Sequence, residues 1–264
     1  MSTFTNLYIF DADGVLVEPN QTVVPKSVLK ILRKSNALKV VASGKSLERC
    51  WEIGNQINAE AVFGENGAVY QFRGDSPRHT VDMTAIATLK TLIHFRVTHI
   101  DPPQATITLN GKTSRMLYEP GKDILTLWTR AVSGRWDSFE GSLWEESFVI
   151  EKMREIIRRK SLNINIVGPH SDGGIDFNPY GVDKSQSIKV LKEMFPALPV
   201  FVFVDGDNDK ELAEHPDAFV VTFSNATETI MSIARQKIER GMGCVLGKPG
   251  YQSGLTEALK NLES

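Results

Sequence analysis

Two apolar runs constrain this chain more than anything else in it: Leu7-Tyr8-Ile9-Phe10, and Val200-Phe201-Val202-Phe203-Val204. Runs that are short and apolar at every position read as strands buried on both faces of a parallel sheet. Each run stops abruptly in acids, the first in Asp11-Ala12-Asp13-Gly14 and the second in Asp205-Gly206-Asp207-Asn208-Asp209. Carboxylates at the carboxyl ends of such strands lie where open α/β sheets place their active sites. Gly14 suits the sharp turn that brings Asp13 back over Asp11. Two acids at that spacing can share one hard cation, and one of them can then serve as a nucleophile. A helix-capping Asp followed by a turn Asp accounts for the same residues, so the rest of the chain has to decide.

Around these runs, strands and helices alternate. Val23 to Ser35 has a helical pattern, with Val28, Leu29, Ile31 and Leu32 apolar and Lys26, Lys30, Arg33 and Lys34 charged. A strand from Leu38 ends in Ser43-Gly44-Lys45, and a helix follows from Leu47 to Ile57. Strand, Ser-Gly and helix N-terminus together form a phosphate-binding arrangement, although Ser43 alone is a plain N-cap. Lys45 either faces a phosphate or starts the helix in solvent. A third strand, Ala61 to Phe63, leads through Gly64-Glu65-Asn66-Gly67, a strong turn signal, into a hairpin at Ala68 to Phe72. This order opens a doubly wound parallel sheet.

Past a polar linker at Gly74 to Arg78, the alternation stops. Met83 to Phe95 reads as helix, Ala105 to Leu109 and Ser114 to Tyr118 as a hairpin, Ile124 to Val132 as helix, and Phe148 to Lys160 as an amphipathic helix. Leu162 to Val167 and Gly174 to Asn178 then read as strands around a polar loop. The expected organisation is therefore an α/β core, residues 1–80 and 179–264, interrupted by an α+β insert, residues 81–178. Trp128, Trp136 and Trp144 fall in the insert and read as packing residues. Alternation resumes with a helix from Val182 to Phe195, with Lys184 at its start. Next come the acid-ended strand, a short helix from Lys210, a strand from Ala218 to Phe223, the loop Ser224-Asn225-Ala226, and helices from Glu228 to Arg240 and Ser253 to Leu262. Asn225 reads equally as a turn residue and as a contact to the site loop.

A formal net charge of −2, from 30 basic and 32 acidic residues, argues against nucleic acid or an anionic membrane as main partner. No run approaches a membrane span, and the N-terminus lacks the pattern of a signal peptide. Cys50 and Cys244 have no metal-ligand spacing; as two lone thiols they suit a reducing, cytoplasmic setting, and a single disulfide between them is the alternative.

Taken together, Asp11-Ala12-Asp13-Gly14, Ser43, Lys184 and Val204-Asp205-Gly206-Asp207-Asn208-Asp209 resemble the four ordered motifs of the haloacid dehalogenase superfamily phosphatases. Val204 and Val15 stand where the family favours Gly and Thr. The insert between the second and third motifs resembles the subgroup with an α+β cap there, which is rich in sugar-phosphate phosphatases. Phe63 to Gly67 and Ile175 to Lys184 are similar to eukaryotic-type phosphomannomutase, whose arginine-rich substrate strand has no clear counterpart; Arg115 and Lys112 are the nearest residues.

The resemblance implies a Mg²⁺-dependent enzyme acting on a small phosphorylated metabolite, with Asp11 as nucleophile and Asp13 as general acid and base. It implies that Asp11, Asp205 and the backbone carbonyl of Asp13 bind the metal, that Ser43 and Lys184 hold the phosphoryl oxygens, and that Asn208 and Asp209 support them. The cap is expected to close over the site and read the organic part of the substrate. Gly44, Lys45, Arg115, His170 and Asp172 are candidate substrate contacts.

Overall fold

Every side chain of β1 (Leu7–Phe10) is buried, as expected for a strand covered on both faces. The computed structural model describes residues 4–19, 21–131, 139–169 and 173–263. It divides into two compact units, residues 1–80 with 183–264, and residues 81–182.

The first unit continues with α1 (Lys26–Leu32), β2 (Leu38–Ala42), α2 (Leu47–Gln56), β3 (Ala61–Gly64), β4 (Val69–Phe72) and β5 (Arg78–His79). The second holds α3 (Thr84–Leu92), β6 (Arg96–Ile100), β7 (Pro103–Leu109), β8 (Lys112–Tyr118), β9 (Leu125–Trp128), α4 (Glu146–Arg159), β10 (Ile164–Val167) and β11 (Ile175–Pro179). The chain then returns to the first unit with α5 (Gln186–Met194), β12 (Val200–Phe203), α6 (Lys210–Glu214), β13 (Ala218–Phe223), α7 (Glu228–Glu239), β14 (Gly243–Leu246) and α8 (Leu255–Leu262).

Among the described residues, the first unit is built on an eight-stranded sheet in the order β14-β13-β12-β1-β2-β3-β4-β5. The strands from β14 to β3 are parallel, and β4 and β5 run antiparallel at one edge. Successive side chains along a strand face opposite sides. Tyr8 and Phe10 pack with α1, α2 and α8, whereas Leu7 and Ile9 pack with α5, α6 and α7. Phe10 stacks on Phe203 with ring centroids 4.5 Å apart, locking β1 against β12. From β1 the chain winds outward to β2 and β3, and later outward in the other direction from β12 to β14. The direction reverses between β1 and β12, and a doubly wound sheet opens its ligand crevice at that point.

Among the described residues, the second unit carries a six-stranded antiparallel sheet, β10-β11-β9-β8-β7-β6. Ile86 and Leu89 of α3 and Val149, Ile150 and Met153 of α4 share its core with Ile107, Met116, Leu127 and Phe177. Residues 124–132, expected as helix, instead contain β9. Its residues are buried on both faces, but Thr126 interrupts the apolar run, and Ile124, Leu125, Leu127 and Trp128 fall at helix-like spacing. Trp128 is buried, Trp144 packs against Phe148 in the core, and Trp136 lies outside the described residues.

Candidate active site

The crevice between β1 and β12 is where the acids gather. The Asp11 N–H donates to the Phe203 carbonyl at 2.9 Å, so the β1–β12 ladder runs up to Asp11. Gly14 then turns the chain with φ +77°, a conformation costly for any residue with a Cβ. Its N–H donates to the Val17 carbonyl at 2.8 Å, closing the loop that carries Asp13. A Cβ at Gly14 would lie 1.9 Å from Asp205 Oδ2, so the turn is also pressed against the second acidic loop.

Lys184, just before α5, is fully buried. Its Nζ donates to Asp11 Oδ1 at 2.6 Å and to Asp209 Oδ1 at 2.5 Å. Asp209 in turn accepts from the N–H groups of Asp205 at 3.3 Å and Gly206 at 3.2 Å through Oδ2. Among the described residues, Asp11, Asp205 and Asp209 form a cluster whose ligand oxygens lie within 4.8 Å of one another.

The cluster holds three carboxylates and one ammonium, two negative charges in excess when all are ionised. Burying such an excess is costly, and the protonation equilibria respond to it. Burial first, and the Asp209 carboxylate second, push Asp11 up to about 7 against the pull of Lys184. Burial, then Asp11 and Asp209, push Asp205 up to about 8. Burial alone would lower Lys184, but the two carboxylates outweigh it and hold its ammonium above the ordinary value. A divalent cation would balance the excess, and an all-oxygen donor set is the kind that hard ions take.

Asp13 stands outside the three-acid cluster, and Lys45 Nζ lies 2.7 Å from its Oδ2. Lys45 thus pairs with an acid of the first motif instead of simply starting a helix in solvent. Ser43 is buried, and its Oγ accepts from the Lys45 N–H at 3.3 Å. It is not the N-cap of α2, because Ser46 takes that position. Gly44 lies beside it, with Asn66 Oδ1 3.0 Å from where a Cβ would be. Asn208 is exposed beside Gly206. Arg115 is exposed on β8 of the second unit, opposite Thr106. His170 and Asp172 lie outside the described residues.

Asn225, left open between a turn role and a site contact, donates to Asp205 Oδ2 at 2.5 Å. The available signal was its place just past β13, at the same end of the sheet as Asp11. Cys50 is buried, Cys244 is half-buried, and the two form no disulfide; among the described residues no helix is long and apolar enough to cross a membrane.

No protein-family model matches the chain. A phosphomannomutase of Dendrobium officinale is 26% identical over 222 residues, covering 79% of this chain and 84% of its own. A solved haloacid dehalogenase-like hydrolase from Bacteroides thetaiotaomicron superposes with a TM-score of 0.66 at 15% identity, covering 98% of this chain and 99% of its own. A solved sugar phosphatase of haloacid dehalogenase subclass IIB superposes with a TM-score of 0.59 at 15% identity, again covering 98% and 99%.

Proposed function

The chain has the haloacid dehalogenase fold, and from that premise we propose that it is a Mg²⁺-dependent phosphohydrolase acting on a sugar phosphate or a similar small phosphorylated metabolite. The observation that carries the reading is the cluster of Asp11, Asp205 and Asp209 around a fully buried Lys184 at the crevice of the sheet. Two buried acids and a half-buried third around one buried base form the kind of charge cluster found at functional sites, and phosphoryl transfer rests on such positioned charges.

In this reading an Asp11 carboxylate oxygen attacks phosphorus, and the bond from phosphorus to the ester oxygen breaks. The Asp13 carboxyl gives its proton to the departing oxygen, leaving an alcohol and an acyl phosphate on Asp11. Asp13, now a carboxylate, takes a proton from water. The water oxygen attacks phosphorus, the acyl phosphate bond breaks, and inorganic phosphate leaves with Asp11 restored. Ser43 and Lys184 donate to the phosphoryl oxygens, and Asp209 holds Lys184 in place. Asp11, Asp205 and the Asp13 carbonyl would hold Mg²⁺, which when bound neutralises charge on the phosphoryl group. Lys45 holds Asp13 between turnovers. The core of residues 1–80 and 179–264 supplies the chemistry, and the insert of residues 81–178, with Arg115, His170 and Asp172 as candidates, acts as a cap that reads the organic group. Two cysteines that form no disulfide support a cytoplasmic setting.

A second reading, a sugar phosphomutase, is favoured by the phosphomannomutase similarity. The acids would be the same, but the phosphoryl group would return to another hydroxyl of the sugar instead of passing to water.

The deciding experiment measures inorganic phosphate release from mannose, glucose, sucrose and trehalose phosphates and phosphoglycolate, with and without Mg²⁺. Mg²⁺-dependent release is the expected result. Conversion of a hexose 1-phosphate to its 6-phosphate without release would replace the hydrolase reading with the mutase.

A further inference from the structure

Asn225 reaches three parts of the first unit at once. Its Nδ2 donates to Asp205 Oδ2 at 2.5 Å and to the Gly14 carbonyl at 3.1 Å, and its Oδ1 accepts from the Gly250 N–H at 3.0 Å. Both donors and the acceptor of the amide are therefore used. Asp205 belongs to the acid cluster, and Gly14 closes the turn that carries Asp11 and Asp13. Gly250 opens the turn that leads into α8.

The C-terminal segment is seated at both ends. At the crevice, the Tyr251 N–H also donates to the Gly14 carbonyl, at 3.3 Å. A Cβ on Gly250 would lie 2.7 Å from that carbonyl and 2.9 Å from Val15 Cα, so the turn rests directly on the nucleophile loop. Near the chain's end, Glu263 Oε1 accepts from the Tyr8 hydroxyl at 2.9 Å and from Ser35 Oγ at 2.6 Å. A turn seated in this way gives Asn225 a fixed point from which to orient a carboxylate.

We propose that Asn225 is a positioning residue for the cation site, through which the turn at Gly250 fixes the Asp205 carboxylate relative to the nucleophile loop. This deepens the reading above and rests on it in one respect, that Asp205 holds a cation. The amide occupies Asp205 Oδ2 with a hydrogen bond, which sets the rotation of the carboxyl group and so the direction of its other oxygen.

The test is calorimetric titration of Mg²⁺ into the wild-type protein and Asn225→Ala, with melting curves of both metal-free proteins. The expected result is a Mg²⁺ dissociation constant raised roughly tenfold to a hundredfold, the usual scale for losing a residue that orients a metal ligand, whatever the change in metal-free melting. A purely structural role would lower the melting temperature and leave Mg²⁺ affinity unchanged. Equal Mg²⁺ affinity overturns the proposal but leaves the phosphohydrolase reading standing, whereas a wild-type protein that binds no Mg²⁺ overturns both. If Asn225→Ala does not fold, the wild-type protein supplies the measurement. Coupling between two sites is reciprocal, so bound Mg²⁺ slows hydrogen exchange at the Gly250 and Tyr251 amides several-fold. Unchanged exchange there, with Mg²⁺ bound, overturns the proposal.

Discussion

Replacing Lys184 with Met keeps much of the side chain's length and removes its charge. Lys184 is fully buried and bonded to Asp11 and Asp209, so Lys184→Met leaves those acids without their ammonium. Breaking a buried pair by removing one partner costs about 3–5 kcal/mol. For a chain of this size that is a fall of roughly 6–20 °C in melting temperature. The cost depends on pH, and the direction follows from the acids. Asp11 and Asp205 already sit at about 7 and about 8, above their ordinary value of 3.8. Without the pull of Lys184 both rise further. An acid whose folded value is raised contributes stability that is present below its unfolded value and is lost as pH rises through the folded one. The metal-free variant should therefore lie close to the wild-type protein near pH 5 and fall well below it near pH 8. Urea unfolding of both proteins at the two pH values measures this. A deficit equal at both pH values, or below about 1 kcal/mol at pH 8, the range of a surface pair, would refute the charge-balance argument.

Other perturbations probe neighbouring parts of the site. Mg²⁺ binds the ionised acids in competition with protons, so its stabilisation of the wild-type protein, about 2.7 kcal/mol at a hundred times the dissociation constant, should appear near pH 8.5 and fade near pH 5.5. Thermal shifts at the two pH values check this, and equal shifts would contradict it. Gly14→Ala places a Cβ 1.9 Å from Asp205 Oδ2 at φ +77°. It should cost about 1–3 kcal/mol from overpacking alone and weaken Mg²⁺ binding, as read by denaturant unfolding and calorimetry. Lys45→Met removes the partner of Asp13, a pair with side chains 19% and 38% exposed. Its stability effect should stay below about 1 kcal/mol, while turnover falls tenfold or more in a steady-state assay.

The site was more legible than the insert, for a physical reason. Asp11 and Asp205 follow apolar runs so uniform that only a buried strand fits them, and the end of a buried parallel strand is a fixed place in this architecture. Lys184 carried no such local signal; it entered through the motif order, and its burial is visible only in three dimensions. β9 reads as helix because Thr126 interrupts its apolar run and leaves Ile124, Leu125, Leu127 and Trp128 at helix-like spacing. β6 gave no signal because every side chain on it is exposed. Asn225 and Lys45 were undecided because their partners, Asp205 and Asp13, lie 20 and 32 positions away in the chain. Composition and periodicity describe neighbours along a strand or helix, not side chains that meet across the ends of several strands.

The most direct test of phosphoryl transfer at Asp11 is to quench the enzyme during turnover of a labelled phosphate ester and find the residue that carries the label. Label is expected on the peptide containing Asp11, formed only with Mg²⁺ and absent in Asp11→Asn, which should still fold. Turnover with label on another residue, or an Asp11→Asn variant that retains substantial Mg²⁺-dependent activity, would contradict it.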